Sequence, residues 1–181
     1  MAPRITPLDD AELDMEQRTL VAPFVHDGRI DNVFRTMARH VDLLKRWLPF
    51  VKHVLLKSTL TLREREILIL RTGWLCRSDY EWAQHVEGGK RAGLSNADIA
   101  CVMAGHGLKA KEDALLHAAD DLHTHVRVGD AAWSALVVHY DQRQLMDIVF
   151  TVGQYTMVSM ALNSFGVEVD AYLAGYPPLP S

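Results

Sequence analysis

The 181 residues are 49% hydrophobic and carry a formal net charge of -4, with acids and bases interspersed. That apolar share can bury one core, and no break in the chain asks for a second, so a single domain over residues 1–181 is expected. No basic stripe is present to neutralise phosphates, which argues against nucleic acid as the main partner and favours a small or neutral ligand.

The opening stretch, "MAPRITPLDDAELD", has no charged flank followed by an apolar run, so it does not read as a secretory signal. The longest apolar run, "VFTVGQYTMVSMAL", is 14 residues and contains polar positions, short of a bilayer span. A cytoplasmic protein with no membrane partner is the expectation. Cys76 and Cys101 are the two cysteines, and in such a setting both are expected to be reduced.

Period-2 alternation is never sustained, whereas apolar residues recur at helical spacing through most of the chain, so the fold class is all-α. A first helix is expected near residues 10–22, ending before Pro23. A second, from about Asp31 to Leu44, carries Val33, Met37, Val41 and Leu44 as a stripe, and a third follows Pro49 through "FVKHVLLKS". Thr61 with Glu64, and Ser78 with Glu81, have the spacing of capping boxes and open the next two helices. Gly93 is a stop, Ser95 caps a short helix ended near Gly105, "KEDALLHAADDLHTH" is helical, and Asp130 is the expected cap of "AAWSALVVHY". The final helix, "QRQLMDIVFTVGQYTMVSMALNSFGV", is apolar around most of its circumference and should be wrapped by neighbours or lie in a subunit interface. "YPPLPS" is a proline-rich exit. A faint echo between "LILRTGW" and "IVFTVGQ", with Gly73 and Gly153, does not establish a duplicated unit.

Ser78, Glu81 and His85 are spaced by three and four residues, which puts them on one helix face. They form either a polar site or a cap followed by a packed histidine. Glu66 tilts the balance: its neighbours at helical spacing, Leu62, Ile69, Leu70 and Gly73, are apolar, so its carboxylate should be buried or face a cavity. A plain ion pair with Arg71 or Arg91 is the competing account. Glu64 and Arg65 read as ordinary solvated charges. Cys76 lacks a second thiol one turn away and has an acid nearby, so it reads as a packed small hydrophobe. His117, Asp120, Asp121, His123 and His125 are rich in metal-ligand types, but the H-x-H spacing points its two imidazoles apart and argues against a metal site.

The order Glu66, eleven residues, Ser78, two residues, Glu81, three residues, His85 resembles the carboxymuconolactone decarboxylase and alkyl hydroperoxidase D (AhpD-like) superfamily. The hydroperoxidase branch of that superfamily has a glutamate, then C-x-x-C, then a histidine four residues later. Ser78 and Glu81 stand at the two cysteine positions here, so "YEWAQH" looks like the branch without the thiol pair. The resemblance implies a helical bundle of antiparallel helix pairs, assembled as a homotrimer or homohexamer, with a helix-lined pocket close to a subunit interface. It carries Glu66, Ser78, Glu81 and His85 over as candidate catalytic residues, with Tyr80, Trp82, Tyr155 and Asn163 as candidate pocket walls; Cys76 is not carried over. The implied activity is a lyase reaction on a small lactone or keto acid, by acid/base chemistry needing no metal and no cofactor. His85 would carry the proton, Glu66 would orient it, and Glu81 would act as a second acid/base group. A peroxidase built on Cys76, or a non-enzymatic oligomeric helical binding protein, are the alternatives.

Overall fold

The computed structural model describes residues 2–25, 27–176 and 179. Among them the chain is helical and contains no strand, in agreement with the all-α expectation. The helices are α1 (Met15–Val21), α2 (Asn32–Met37), α3 (Val41–Lys52), α4 (Leu62–Leu75), α5 (Asp79–Arg91), α6 (Asn96–Ala104), α7 (Ala110–His125), α8 (Asp130–Val137) and α9 (Gln142–Phe165).

α4 is the central element. Ile67, Leu68, Ile69 and Leu70 are all fully buried, so this helix is apolar on successive positions and enclosed on every side. Ile67, Leu68 and Leu70 enter one core with residues of α5, α6, α7, α8 and α9. Ile69 enters a second, with α1 to α3 and the far side of α9. Each such side chain contributes roughly 1.5–3 kcal/mol on burial, enough to fix the orientation of α4.

α4 and α5 pair antiparallel across the turn Cys76–Ser78. Gly73 lies against Glu81 near the turn, where an added Cβ would be 3.4 Å from the Glu81 Cβ, and Glu66 lies against His85 and Gly88 farther out. Gly73 thus serves a close helix approach, whereas Gly153 has open space where its Cβ would be, so the two glycines of the sequence echo do different things.

Several boundaries depart from expectation. The helix expected over 31–44 is split, because Ala38–His40 leave the α-helical pattern and the His40 ring accepts the Leu43 N–H to start α3. Pro49 lies inside α3 instead of opening a helix, and the chain after it passes through one π-helical turn, His53–Lys57. A proline cannot donate its backbone bond, so α3 lacks the hydrogen bond that residue 49 would make to the carbonyl four residues earlier. Pro23 sits in a 3-10 turn, Ala22–Phe24, directly after α1. Gly129, not Asp130, is the N-cap of α8; Asp130 is its first helical residue. The Thr61–Glu64 and Ser95–Asp98 boxes close in both directions, and Gly105 and Gly166 end their helices in the left-handed region. Of the tail "YPPLPS", residues 177, 178, 180 and 181 lie outside the described residues.

Glu64 is buried, not solvated: its carboxylate receives the Thr61 N–H, the Tyr140 hydroxyl at 3.2 Å and Lys111 Nζ at 2.6 Å. α9 is long and apolar enough to cross a membrane by length and composition alone. More than half of that stretch is buried inside the fold, with Leu145, Ile148, Val152, Tyr155, Val158 and Leu162 facing inward.

Candidate active site

α4 supplies Glu66, and α5 supplies Glu81 and His85. Glu66 Oε2 lies 2.7 Å from His85 Nδ1, and Glu81 Oε2 lies 3.4 Å from His85 Nε2, so one imidazole is held between two carboxylates. Both glutamates are nearly inaccessible to solvent.

Ser78 has a different place. Its buried hydroxyl accepts the Glu81 N–H at 3.5 Å as the cap of α5, while its own N–H donates to the Gly73 carbonyl. Unlike the other two boxes, this one closes in one direction only. The Glu81 carboxylate does not return to the Ser78 backbone and is directed at His85. Ser78 therefore positions the start of the helix and makes no hydrogen bond to Glu66 or His85.

The charge pattern follows from burial and partners. Burial raises the Glu66 pKa, but the His85 charge and the donors of His85 and Arg65 outweigh it, so the carboxyl titrates below its usual range. Burial pulls the His85 imidazole down, yet Glu66 and then Glu81 leave its pKa above the usual value. Glu81 is dominated by burial, reinforced by the Glu66 charge and opposed by that of His85, and its carboxyl is pushed up to about 7. Below neutrality the site is a Glu66 carboxylate, a His85 imidazolium and a protonated Glu81. Glu81 exchanges its proton where a side chain is most useful for acid/base work.

Three residues that the pattern of the sequence did not single out complete the site. Arg65 is not a solvated charge: it donates to Glu66 Oε1 at 2.9 Å from Nη2 and also donates to the Leu55 carbonyl. Gly88 is the floor beneath Glu66, since an added Cβ would sit 2.9 Å from Oε2. Gln154 lines the same cavity from α9. Arg71 is not the partner of Glu66; it binds Asp120 at 2.6 Å and the carbonyls of Val102 and Met103.

Glu66, Glu81 and His85 open on a partly enclosed cavity of about 800 Å³, whose wall also includes Trp47, Tyr80 and Tyr155. The Tyr155 ring meets the His85 ring edge-on, centroids 5.0 Å apart. The Tyr80 hydroxyl is occupied, donating to Asp170 at 2.6 Å and accepting the Val33 N–H. Trp82 packs in the core beside Trp74, and Asn163 donates to the Cys76 carbonyl, so neither belongs to the cavity wall.

Burial pushes the Cys76 thiol above its ordinary pKa, which favours the unreactive form. In the histidine-rich stretch, Asp120 holds Arg71, while Asp121 accepts the Gly129 N–H and lies 3.6 Å from His125.

An all-α bundle with a buried Glu–His–Glu constellation facing a helix-lined cavity defines the class of protein. Residues 42–121 match the carboxymuconolactone decarboxylase family. Solved structures share the fold. An uncharacterized peroxidase-related protein with an alkylhydroperoxidase AhpD core from Ralstonia eutropha JMP134 superposes with a TM-score of 0.84 at 19% identity, covering 99% of this chain and 98% of its own. An uncharacterized peroxidase-related protein from Silicibacter sp. TM1040 gives 0.80 at 18% identity, with 94% and 95% covered. The debrominase Bmp8, in complex with 2,3,4-tribromopyrrole, gives 0.78 at 12% identity, with 96% and 95% covered. No curated protein matches the sequence. The family match spans residues 42–121, and the likeness to AhpD-like structures over the rest of the chain is one of fold.

Proposed function

We propose that this protein is an acid/base enzyme that decarboxylates, or moves a proton on, a small lactone or keto acid. The observation that carries the reading is the imidazole of His85 held between Glu66 and Glu81 at the wall of a ligand-sized cavity. When a carboxylate carried on the carbon α to a carbonyl, or on its vinylogous position, loses CO2, the electron pair of the broken C–C bond passes through the forming enolate onto the carbonyl oxygen. A proton must then reach the carbon. Hydrogen-bond donors that stabilise the oxygen and one positioned acid are sufficient for this. The imidazolium Nε2–H of His85 is that acid, Glu66 holds the Nδ1–H and thereby the ring, and Glu81 restores the proton to Nε2. Ser78 contributes through the helix cap.

The test is CO2 release from a panel of lactones and β-keto acids. His85→Ala and Glu66→Gln are each expected to reduce turnover by a factor on the order of 10² or more with the helical spectrum unchanged. Near-wild-type turnover in both variants refutes the assignment. The competing reading, suggested by the peroxidase-related names of two structural neighbours, is hydroperoxide reduction at Cys76. The raised thiol pKa weighs against it. Catalytic consumption of a hydroperoxide with a dithiol reductant, lost in Cys76→Ser, would establish that reading instead.

Self-association as a homotrimer or homohexamer is part of the proposal. α9 presents Met146, Phe150, Met157 and Met160 outward at spacings of four, seven and three residues, an apolar seam whose four side chains are all solvent-exposed in the single chain. Light scattering on the purified protein decides it, and a monomer at all concentrations would overturn it.

A further inference from the structure

Asp147 is a buried carboxylate on α9 that the acid/base chemistry does not use. Its oxygens are taken by two residues that flank one short stretch of chain. Oδ2 accepts the Thr59 N–H at 2.6 Å and the Thr59 hydroxyl at 2.7 Å, while Oδ1 lies 3.1 Å from His53 Nε2. Burial pushes this carboxyl up, but the Thr59 donors and then His53 outweigh it and leave it below its usual range, so Asp147 is a carboxylate at neutral pH. Between the flanks runs the π-helical turn His53–Lys57. Such turns are rare, and packing pins this one at a single buried residue, Val54. The chain leaves the helix at Ser58, and the Thr59 N–H finds its acceptor in Asp147.

The turn reaches the candidate site through its backbone. The Leu55 carbonyl accepts Arg65 Nη1, and Nη2 of the same guanidinium donates to Glu66 Oε1 at 2.9 Å. Glu66 Oε2 in turn lies 2.7 Å from His85 Nδ1. A guanidinium is a rigid planar fork, so holding one of its ends on a backbone carbonyl limits how the other can turn. We propose that Asp147 is a positioning residue: it closes the π-helical turn from both ends, which fixes the Leu55 carbonyl on Arg65 and, through Arg65, the Glu66 carboxylate against His85. Asp147 is not part of the cavity wall and acts only through this chain of contacts. Its bearing on turnover rests on reading Glu66 and His85 as the reacting pair, whereas its bearing on their geometry does not.

The test reads that geometry directly. A short bond between an imidazolium Nδ1–H and a carboxylate gives a proton NMR signal far downfield of the amides, and exchange erases it when water reaches the bond. At about pH 6, where the imidazole is protonated, the wild-type protein should show this signal for His85. Asp147→Ala should lose it, and Asp147→Asn should restore it, because the amide oxygen can still accept both Thr59 donors. In the same Asp147→Ala protein, kcat on the lactone and β-keto acid panel should fall about tenfold with KM little changed. Thr59→Val keeps the side-chain shape and removes one donor; it should speed exchange of the signal by about threefold or more, which serves if the alanine variant does not fold. A purely structural Asp147 would lower Tm and leave the signal in place. A signal that persists in folded Asp147→Ala, exchange unchanged in Thr59→Val, no recovery in Asp147→Asn, or no signal in the wild type overturns the proposal. If the signal behaves as stated and nothing in the panel is turned over, the acid/base reading fails and the positioning role of Asp147 stands.

Discussion

Replacing Glu81 with glutamine should stabilise the protein, and most strongly above neutrality. In the folded protein burial lifts the Glu81 carboxyl from 4.5 to about 7. An acid whose pKa is raised by folding holds its proton more tightly folded than unfolded, so folding loses stability as pH rises between the two values. With each pKa unit worth about 1.4 kcal/mol, ionised Glu81 costs about 3 kcal/mol at pH 8 or so. The dipole of α5 favours a carboxylate in its first turn by about 0.3–1 kcal/mol, which leaves a net gain of about 2 kcal/mol for the uncharged amide. The replacement leaves the cap intact, because Ser78 receives the backbone N–H of residue 81 and not its side chain. At roughly 2–4 °C per kcal/mol for a domain of this size, Tm should rise by roughly 4–8 °C near pH 8. Near pH 5 Glu81 is already protonated, and the gain should shrink to about 1 kcal/mol or less. Thermal melts of both proteins at the two pH values, at one protein concentration, provide the comparison. A destabilised Glu81→Gln protein near pH 8, or a difference that does not change with pH, would refute the account of a buried, proton-holding Glu81.

If protonated Glu81 feeds His85, turnover should fall as pH rises through about 7, and Glu81→Gln should remove that limb from the pH–rate profile. Glu66 has the opposite sign: its pKa is lowered by folding, so its stabilisation is present at neutral pH and disappears as pH falls below the usual carboxylate range, visible in acid titration of wild type against Glu66→Gln. Gly88→Ala should push the Glu66 carboxylate off His85 and lower turnover by a factor on the order of 10 to 10², with a helical spectrum like wild type, even though alanine favours the helix by about 1 kcal/mol. Unchanged turnover there would mean that the Glu66 position is not critical. Tyr80→Phe leaves Asp170 and the Val33 N–H without the phenol and should cost about 1–3 kcal/mol in urea unfolding, with little effect on turnover.

The main helices and half of the site can be read along the chain because their signals are local. Apolar positions recurring at helical spacing and paired capping residues depend on neighbours a few positions away, and α4 to α7 and α9 appear where those signals place them. Glu66 could be suspected because an acid in an apolar strip is anomalous whatever the strip packs against. The split between α2 and α3 and the placement of Pro49 inside α3 went the other way. There the apolar stripe continues through both breaks, and tertiary packing decides which residues leave the helix.

Arg65 shows why the remainder was hidden. Adjacent residues on a helix diverge by about 100°, so spacing does not predict that Arg65 curls onto Glu66; its donation to the Leu55 carbonyl, from a segment before α4, helps hold it there. Gly88 left a trace, a glycine three residues after His85 on the same face of a helix interior, but its purpose appears only when Glu66 arrives from the other helix. Gln154 left none. On a helix apolar nearly all round, one glutamine is indistinguishable from a surface position until the fold shows it 4% exposed against a cavity.

The sequence alone determined the helical class, the pairing of Glu66 with the Ser78–Glu81–His85 face as one suspected constellation, and the absence of a C-x-x-C thiol pair at that face. Only the tertiary structure decided that Ser78 is used as a cap, that Glu81 turns from its capping box to His85, and that Arg65, Gly88 and Gln154 complete the surroundings. Periodicity specifies which way a side chain leaves its own helix, whereas proton affinity depends on distance and burial, and those exist only once separate helices have packed.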